Sequence, residues 1–389
     1  MAVELQFVDG VGRPLDAGGA EVADRQGHDG RSQQLQQCGS PRDTVGGTRH
    51  ATERSRGSFG RRTLRVGLAG YGVAGAVFHA PLIAAVEGLE LSAVMTRSPE
   101  RAQQAAAAHP RANVVGDLDA LLTEIDVLVV ATPNRTHGEI ALAGLERGLA
   151  VVVDKPLATT SAEARRLVDA GGRLTVFQNR RWDGDFLTLR RLLADGALGT
   201  PTRMESRFER FRPQVNAGSW RESGDPEDGG GMLLDLGSHL VDQAIVLFGA
   251  PLSVYGELAV RRPGARVEDD AFIALEHHGG VRSHLWMSAV APLAGPRFRV
   301  SGLQRGFAVD GLDPQEAQLR DGMRPGDEGF GEAPPALLDG KPLALDRGRY
   351  ADFYAGVRDW ALGAAPAPVD AADAVRVLEV LEAVQLPMR

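Results

Sequence analysis

Residues 64–75 read LRVGLAGYGVAG, an apolar run of strand type followed by a turn that places Gly70, Gly72 and Gly75 as G-x-G-x-x-G. A helical stretch, AVFHAPLIAAVEG, follows at 76–88. In a chain with 48 glycines the triplet alone says little. Between a strand and a helix it has a physical reading. Gly70 permits the tight turn, Gly72 lets the backbone approach a pyrophosphate, and Gly75 lets helix pack on strand. The amides that open the helix, at Val73 and Ala74, would then face the phosphates with the positive end of the helix dipole behind them. The stretch predicts a dinucleotide-binding loop.

Outward from that loop the pattern repeats. ELSAVM (90–95), DVLVVA (126–131), LAVVVD (149–154) and LTVFQ (174–178) read as further strands. SPERAQQAAAAH (98–109), THGEIALAGLERG (136–148) and SAEARRLVDAGG (161–172) read as the helices between them. Strands alternating with helices of about ten residues make βαβ units, hence a doubly wound parallel sheet over residues 63–182.

The grammar changes after a helix at 186–196. TRMESRFERF (202–211), SVYGELAVRR (253–262), DAFIALEHH (270–278), VRSHLWMSAV (281–290) and RFRVSG (297–302) alternate polar and apolar residues, as half-buried strands do. Helical stretches at 350–363 and 370–385 close the chain. Residues 183–389 therefore read as an α+β domain with a large, mostly antiparallel sheet.

Residues 1–62 are polar and aperiodic, rich in Gly, Arg, Ser and Gln, and read as a disordered extension or a start placed too far upstream. A net charge of −8 carries no footprint for nucleic acid or an anionic membrane. The single cysteine, Cys38, fits a reducing compartment. With no basic-then-apolar leader and no apolar run near the roughly 20 residues that span a bilayer, the expected location is the cytoplasm. No metal site is read.

At the end of the second strand an NAD site wants a carboxylate for the ribose 2′-hydroxyl, whereas an arginine accommodates the 2′-phosphate of NADP. VMTRSPE places Thr96, Arg97 and Ser98 there, with no carboxylate before Glu100. NADP is expected over NAD.

Two further stretches carry chemistry. Of the 43 lysines and arginines only Lys155 and Lys341 are lysine. Lys155 closes a strand at the carboxyl edge of the parallel sheet, where ligands of such folds bind. In EDGGGMLLDLGSHLVDQAIVLFG (227–249), Asp235, His239 and Asp242 recur at i, i+4 and i+7 along one helix face. Three titratable groups among Leu, Val, Ile and Phe are costly to bury unless they serve one another, as a satisfied polar stripe or as a reactive set. A lysine, a histidine and a carboxylate beside a nicotinamide would suit alcohol oxidation: the ammonium stabilises a developing alkoxide and the imidazole exchanges the proton.

VGLAGYGVAG, ATPNRTH (131–137), DKP (154–156) and DLGSHLVD (235–242), in this order, resemble the Gfo/Idh/MocA family of oxidoreductases from about Leu64 to the C-terminus. The resemblance implies a Rossmann domain, with Lys155, Asp235 and His239 as the catalytic set. It adds Thr132, Pro133, Asn134, His137 and Pro156 to the cofactor contacts. The family's usual E-K-P reads Asp154-Lys155-Pro156 here. GYGVAGAVFHAPLI, FQNRRWDGDFLTLRRLL and RFERFRP look most like bacterial NADP-dependent scyllo-inositol dehydrogenases, which makes a cyclic polyol or sugar the expected substrate. Another sugar on the same scaffold, or a non-catalytic dinucleotide-binding sugar sensor, are the alternatives. A homodimer or homotetramer through the C-terminal sheet is implied. Asn179, Arg181, Asp183 and Trp220 are candidates for substrate contact, Arg181 and Asp183 equally for bracing the domains; His79 is read either under the nicotinamide or in helix packing.

Overall fold

A computed structural model describes residues 62–385 other than Ala217, together with the backbone of Val3 and Glu4. The rest of the N-terminal segment lies outside the described residues. Val3–Glu4 pair antiparallel with Ser253 and Val254 on an edge of the second sheet.

The first sheet has six parallel strands. In space they run Asn113–Val115, Leu89–Met95, Leu64–Ala69, Val127–Val130, Ala150–Asp154 and Arg173–Phe177. In chain order that is 3-2-1-4-5-6, the doubly wound arrangement whose direction reverses between the first and fourth strands. Strands covered on both faces should be apolar throughout, and Val127–Val130 and Val151–Val153 have no exposed surface. Each such side chain contributes about 1.5–3 kcal/mol by leaving water. The three-residue strand Asn113–Val115 is too short to show in the sequence pattern.

The second sheet has nine strands, Val3–Glu4 among them. All neighbours are antiparallel except Pro201–Glu209 and Arg282–Ser288, which run parallel. Its inner face, with Met204, Phe208, Ile273, Leu285 and Met287 fully covered, packs against the helical segment at 233–248. Gly306–Val309, Ala336–Leu338 and Lys341–Leu343 extend one edge beyond the expected strands. Lys341 is exposed on the last of them.

The chain then returns to the first sheet. Ala351–Ala361 and Ala371–Gln385 pack on the nucleotide-binding half, and Phe353 meets Phe177 edge-on at 5.0 Å. Ser161 Oγ donates to Glu382 at 2.5 Å and Thr175 Oγ1 to the Val369 carbonyl at 2.7 Å. One helical stretch, Pro226–Phe248, is long and apolar enough to cross a membrane by length and composition, and 78% of its most apolar window is buried inside the fold.

Candidate active site

The glycine loop follows the first strand at the switch point. Gly70 has φ +99°, and a Cβ there would lie 2.4 Å from the Ala131 carbonyl oxygen. A Cβ on Gly75 would lie 2.2 Å from the Gly70 oxygen. Neither position admits another residue. At Gly72 the nearest atom to such a Cβ is an Arg101 nitrogen at 3.9 Å, so this side of the loop is open. Closed at two glycines and open at the middle one, the loop fits a dinucleotide pyrophosphate approaching over Gly72.

The expected cofactor contacts are only partly free to serve. Arg97 is exposed, and its side chain has no partner among the described residues. Ser98 instead caps the helix Pro99–Ala108, accepting from the Arg101 amide at 3.3 Å. His137 is buried, with Nδ1 2.8 Å from the Pro156 carbonyl oxygen and Nε2 2.9 Å from that of Thr132. It ties the fourth-strand loop to the Lys155 loop and offers nothing to a ligand. Asn134 Nδ2 donates to the Asp228 carbonyl at 2.9 Å, and Arg135 Nε to the Asp228 carboxylate at 2.8 Å. Thr132 Oγ1 accepts from Thr136 Oγ1 at 2.8 Å, while Val73 and Pro133 are exposed and Ala74 is partly so. Arg101, one turn into its helix and beside Gly72, gave no signal in the sequence because exposed helix arginines are common here.

Lys155 and Asp235 meet across the two domains. Lys155 Nζ donates to Asp235 Oδ1 and to the Asp235 carbonyl, both at 2.8 Å. Arg221 Nε donates to Asp235 Oδ2 at 2.7 Å while its guanidinium lies over the Trp220 ring at 4.4 Å. Burial opposes the charge of Asp235, but the two cations outweigh it and hold the carboxyl well below its usual range. Asp235 lies in a widened first turn, Leu233–Gly237, of the helix that continues as Ser238–Phe248. Glu268 pins that start: its carboxylate accepts from the Leu233 amide at 3.1 Å, and a Cβ on Gly231 would lie 2.0 Å from the same oxygen.

His239 does not bond to Asp235, whose two oxygens are taken by Lys155 and Arg221. Of the three titratable groups on this helix face, Asp235 and His239 therefore do not serve one another. His239 Nδ1 is buried with no partner, and the ring meets Phe208 edge-on at 6.1 Å. Burial first, then the positive charges of Lys155 and Arg180, push its pKa well below the usual histidine value. These surroundings favour the neutral imidazole.

Asp242 belongs to a brace. Arg181 Nε and Nη2 donate to its two oxygens at 2.8 and 2.6 Å, and Nη2 also reaches Asp373 on the last helix at 3.0 Å. The Nε–Nη2 fork of Arg181 is thus taken by the two carboxylates, which leaves only Nη1. Asp183 is buried, accepts from the Tyr350 hydroxyl at 2.7 Å, and sits in a polar nest with Arg180. Burial drives its pKa well up, against the pull of Arg180. Asn179 is buried beside them. Of the four candidate substrate residues, Trp220 is linked to the Lys155–Asp235 pair through Arg221, which stacks on its ring and bonds to Asp235.

His79 is fully buried. Its Nδ1 is 2.6 Å from the Tyr354 hydroxyl, and Nε2 is 3.7 Å from Asp154 Oδ1, which accepts the Lys155 amide at 2.9 Å. Among the described residues no group of three or more His, Cys, Asp or Glu is placed to hold a metal.

A tethered ammonium beside an open glycine loop, at the switch point of a doubly wound sheet, is equipment for redox chemistry on a bound nucleotide, and the protein is an oxidoreductase of the dinucleotide-binding class. Comparison with known proteins gives the family. The family described as oxidoreductase, NAD-binding Rossmann fold, matches residues 64–176, and the GFO/IDH/MocA C-terminal domain matches 186–307. The chain belongs to the Gfo/Idh/MocA family. It is 43% identical over 335 residues to the uncharacterized oxidoreductase YdgJ of Escherichia coli, covering 82% of this chain and 94% of that one. It is 33% identical over 344 residues to scyllo-inositol 2-dehydrogenase (NADP(+)) IolW of Bacillus subtilis, covering 83% and 94%. The solved structure of YPO2259 from Yersinia pestis aligns with a TM-score of 0.77 at 40% identity, over 83% of this chain and 95% of that one.

Proposed function

We propose that the protein is an NADP-dependent dehydrogenase that oxidises a ring secondary alcohol of a cyclic polyol or sugar, of the scyllo-inositol kind, or reduces the corresponding ketone. The observation that carries the reading is the Lys155–Asp235 pair. An ammonium has three donors. Two are directed at Asp235, at 2.8 Å each, and the third is left for a substrate oxygen. With its pyrophosphate over Gly72, a bound dinucleotide would supply the hydride acceptor at its nicotinamide ring. In the oxidative direction the Lys155 ammonium stabilises the alkoxide, and neutral His239 is in the form that takes up the hydroxyl proton. Asp235 holds the lysine in place.

Arg97, free beside Thr96 where a carboxylate would repel a phosphate, supports NADP, as does the cofactor named for IolW. The outer face of the second sheet carries Tyr255, Phe272, His284 and Trp286 in mutual ring contact, with Arg207 over Trp286 at 3.9 Å. Such a face supports assembly into a homodimer or homotetramer, testable by light scattering of the wild type and Trp286→Glu. A cytoplasmic location is part of the same reading.

The test is cofactor reduction against a panel of cyclic polyols and sugars, with NADP⁺ and NAD⁺ in parallel. NADP⁺ reduction by at least one cyclic polyol is expected, and Arg97→Ala should weaken NADP⁺ binding roughly 10- to 150-fold. A wild-type preference for NAD⁺ overturns the cofactor assignment. Dinucleotide binding without turnover of any compound favours a sugar sensor instead.

A further inference from the structure

The motif RFERFRP (207–213) takes no part in the chemistry described so far. Its Phe208 faces inward from the strand Pro201–Glu209 and meets His239. Arg210 follows directly after the end of that strand. There the pairing changes direction: the Arg210 amide donates to the Ser288 carbonyl at 2.9 Å, the Ala291 amide donates to the Arg210 carbonyl at 3.0 Å, and Phe211 and Val290 form an isolated antiparallel bridge. The guanidinium is half-buried, within electrostatic range of Asp235, Glu316 and Arg180.

Among the described residues, every other arginine that is not exposed has an acidic partner. Arg165 has Glu379, Arg180 has Glu316, Arg181 has Asp242, Arg207 has Glu205 and Arg221 has Asp235. Arg262 has Asp269, Arg297 has Asp185, Arg358 has Asp359 and Arg376 has Asp373. The Arg210 side chain has no hydrogen bond, ion pair or ring contact among the described residues. The nearby acids do not supply one: Asp235 is held by Lys155 and Arg221, Glu316 by Arg180 and Arg320. A half-desolvated guanidinium without a partner is costly, and its rigid fork of donors matches two adjacent oxygens.

We propose that Arg210 is the residue that recognises the substrate, donating to two neighbouring oxygens remote from the reacting carbon. The ligand class is an oxygen-rich ring, with vicinal hydroxyls or a carboxylate meeting the guanidinium. The inference rests on the oxidoreductase reading above and adds the specificity contact that Arg181, turned to Asp242, does not supply.

Steady-state kinetics at saturating NADP⁺ on the best substrate of the panel test it, with cofactor affinity and melting temperature measured alongside. Arg210→Ala should lower kcat/KM roughly 10- to 100-fold, chiefly through KM, with NADP⁺ affinity unchanged. Arg210→Lys keeps the charge but not the fork, and should still lose several-fold; it carries the test if the alanine variant does not fold. Exposed Arg212→Ala is the control and should stay close to wild type. A larger loss for a sugar acid than for the neutral ring identifies a carboxylate as the partner; equal losses identify vicinal hydroxyls. Unchanged kinetics in Arg210→Ala, an equal loss of NADP⁺ affinity, or the same loss in Arg212→Ala overturns the assignment. Failure of the wild type on every compound sinks the polyol reading itself.

Discussion

Asp235 and Asp242 lie two turns apart on one helical segment, are both buried, and are both paired with basic groups, yet they differ in what those pairs can do. Asp235 is one carboxylate between two cations, Lys155 and half-exposed Arg221. Asp242 and Asp373 are two carboxylates matched by two cations, Arg181 and Arg376. The surplus charge is positive in the first cluster, whereas the second is balanced. The carboxyls shift accordingly. Burial opposes the charge of both, but Asp235 is held well below its usual range, whereas Asp242 is raised by burial despite Arg181, with Asp373 adding to the rise. A cluster with a surplus cation can stabilise a forming alkoxide; one with its donors satisfied bidentately can only hold two elements together. Ion pairing in itself does not mark a reactive site. The balance of charges does.

The contrast is sharpest at the lysine. Lys155→Ala should cut turnover by roughly 10³ or more while NADP⁺ binding largely survives, because an acid–base group and an oxyanion-type stabiliser each contribute about 10²–10⁴-fold. Lys155→Arg should fail nearly as badly, since a planar, larger guanidinium cannot place one donor on the substrate oxygen. Retention of most activity in Lys155→Arg would reduce Lys155 to a local charge.

Breaking the brace should affect stability instead. Arg181→Ala leaves Asp242 buried beside Asp373 without its counter-charge, a loss of about 3 kcal/mol. Chemical denaturation should show that loss, with turnover per folded molecule changed by no more than a few-fold. A thousandfold fall in turnover would place Arg181 in the reactive site.

Arg221→Ala tests the reactive cluster from its exposed side. Its pair with Asp235 is part-solvated on the arginine side, so folding stability should move by less than about 1 kcal/mol. Turnover should fall roughly tenfold, as Asp235 relaxes and Lys155 loses its fixed position. A stability loss as large as that of Arg181→Ala would erase the distinction between the two clusters.

The smallest effect concerns His239. Its folded pKa is lowered by burial and the neighbouring cations, so below about pH 6.5 the unfolded chain binds a proton that the folded chain does not. Stability contributed by neutral His239 is therefore present above that pH and lost as pH falls, by at most about 1.4 kcal/mol per pH unit. His277, also lowered by burial, adds a second share. Between about pH 7.5 and 5.5, the melting temperature of His239→Asn should fall less than that of the wild type. Parallel curves would show that His239 is protonated in the fold.

Much of the fold was legible because it rests on local signals. Gly70 and Gly75 are required where a Cβ would strike backbone oxygen, and the strands LRVGLA, DVLVVA and LAVVVD are apolar because both faces of the parallel sheet are covered. Asn113–Val115 and the edge strands after residue 305 escaped notice, being three or four residues long with no alternation to detect. At the site, Lys155 and Asp235 were legible as residue types and their pairing was not, since they lie 80 residues apart. Arg221 and Glu268, which fix Asp235 from the side and the helix from below, carry no local signature.

By itself the sequence determined the alternation that makes a doubly wound sheet, the glycine turn at its switch point, the lysine at a strand end and the titratable face of one helix. All of these depend on spacing within a few residues, which backbone periodicity converts directly into geometry. Only the tertiary structure decided which acid each cation takes. It turned Arg181 to Asp242 and Asp373, gave both oxygens of Asp235 to Lys155 and Arg221, lowered the pKa of His239, and left Arg210 without a partner among the described residues. The physical reason is that charge pairing in a buried site depends on distance and desolvation among residues remote in the chain, and neither is encoded in local periodicity.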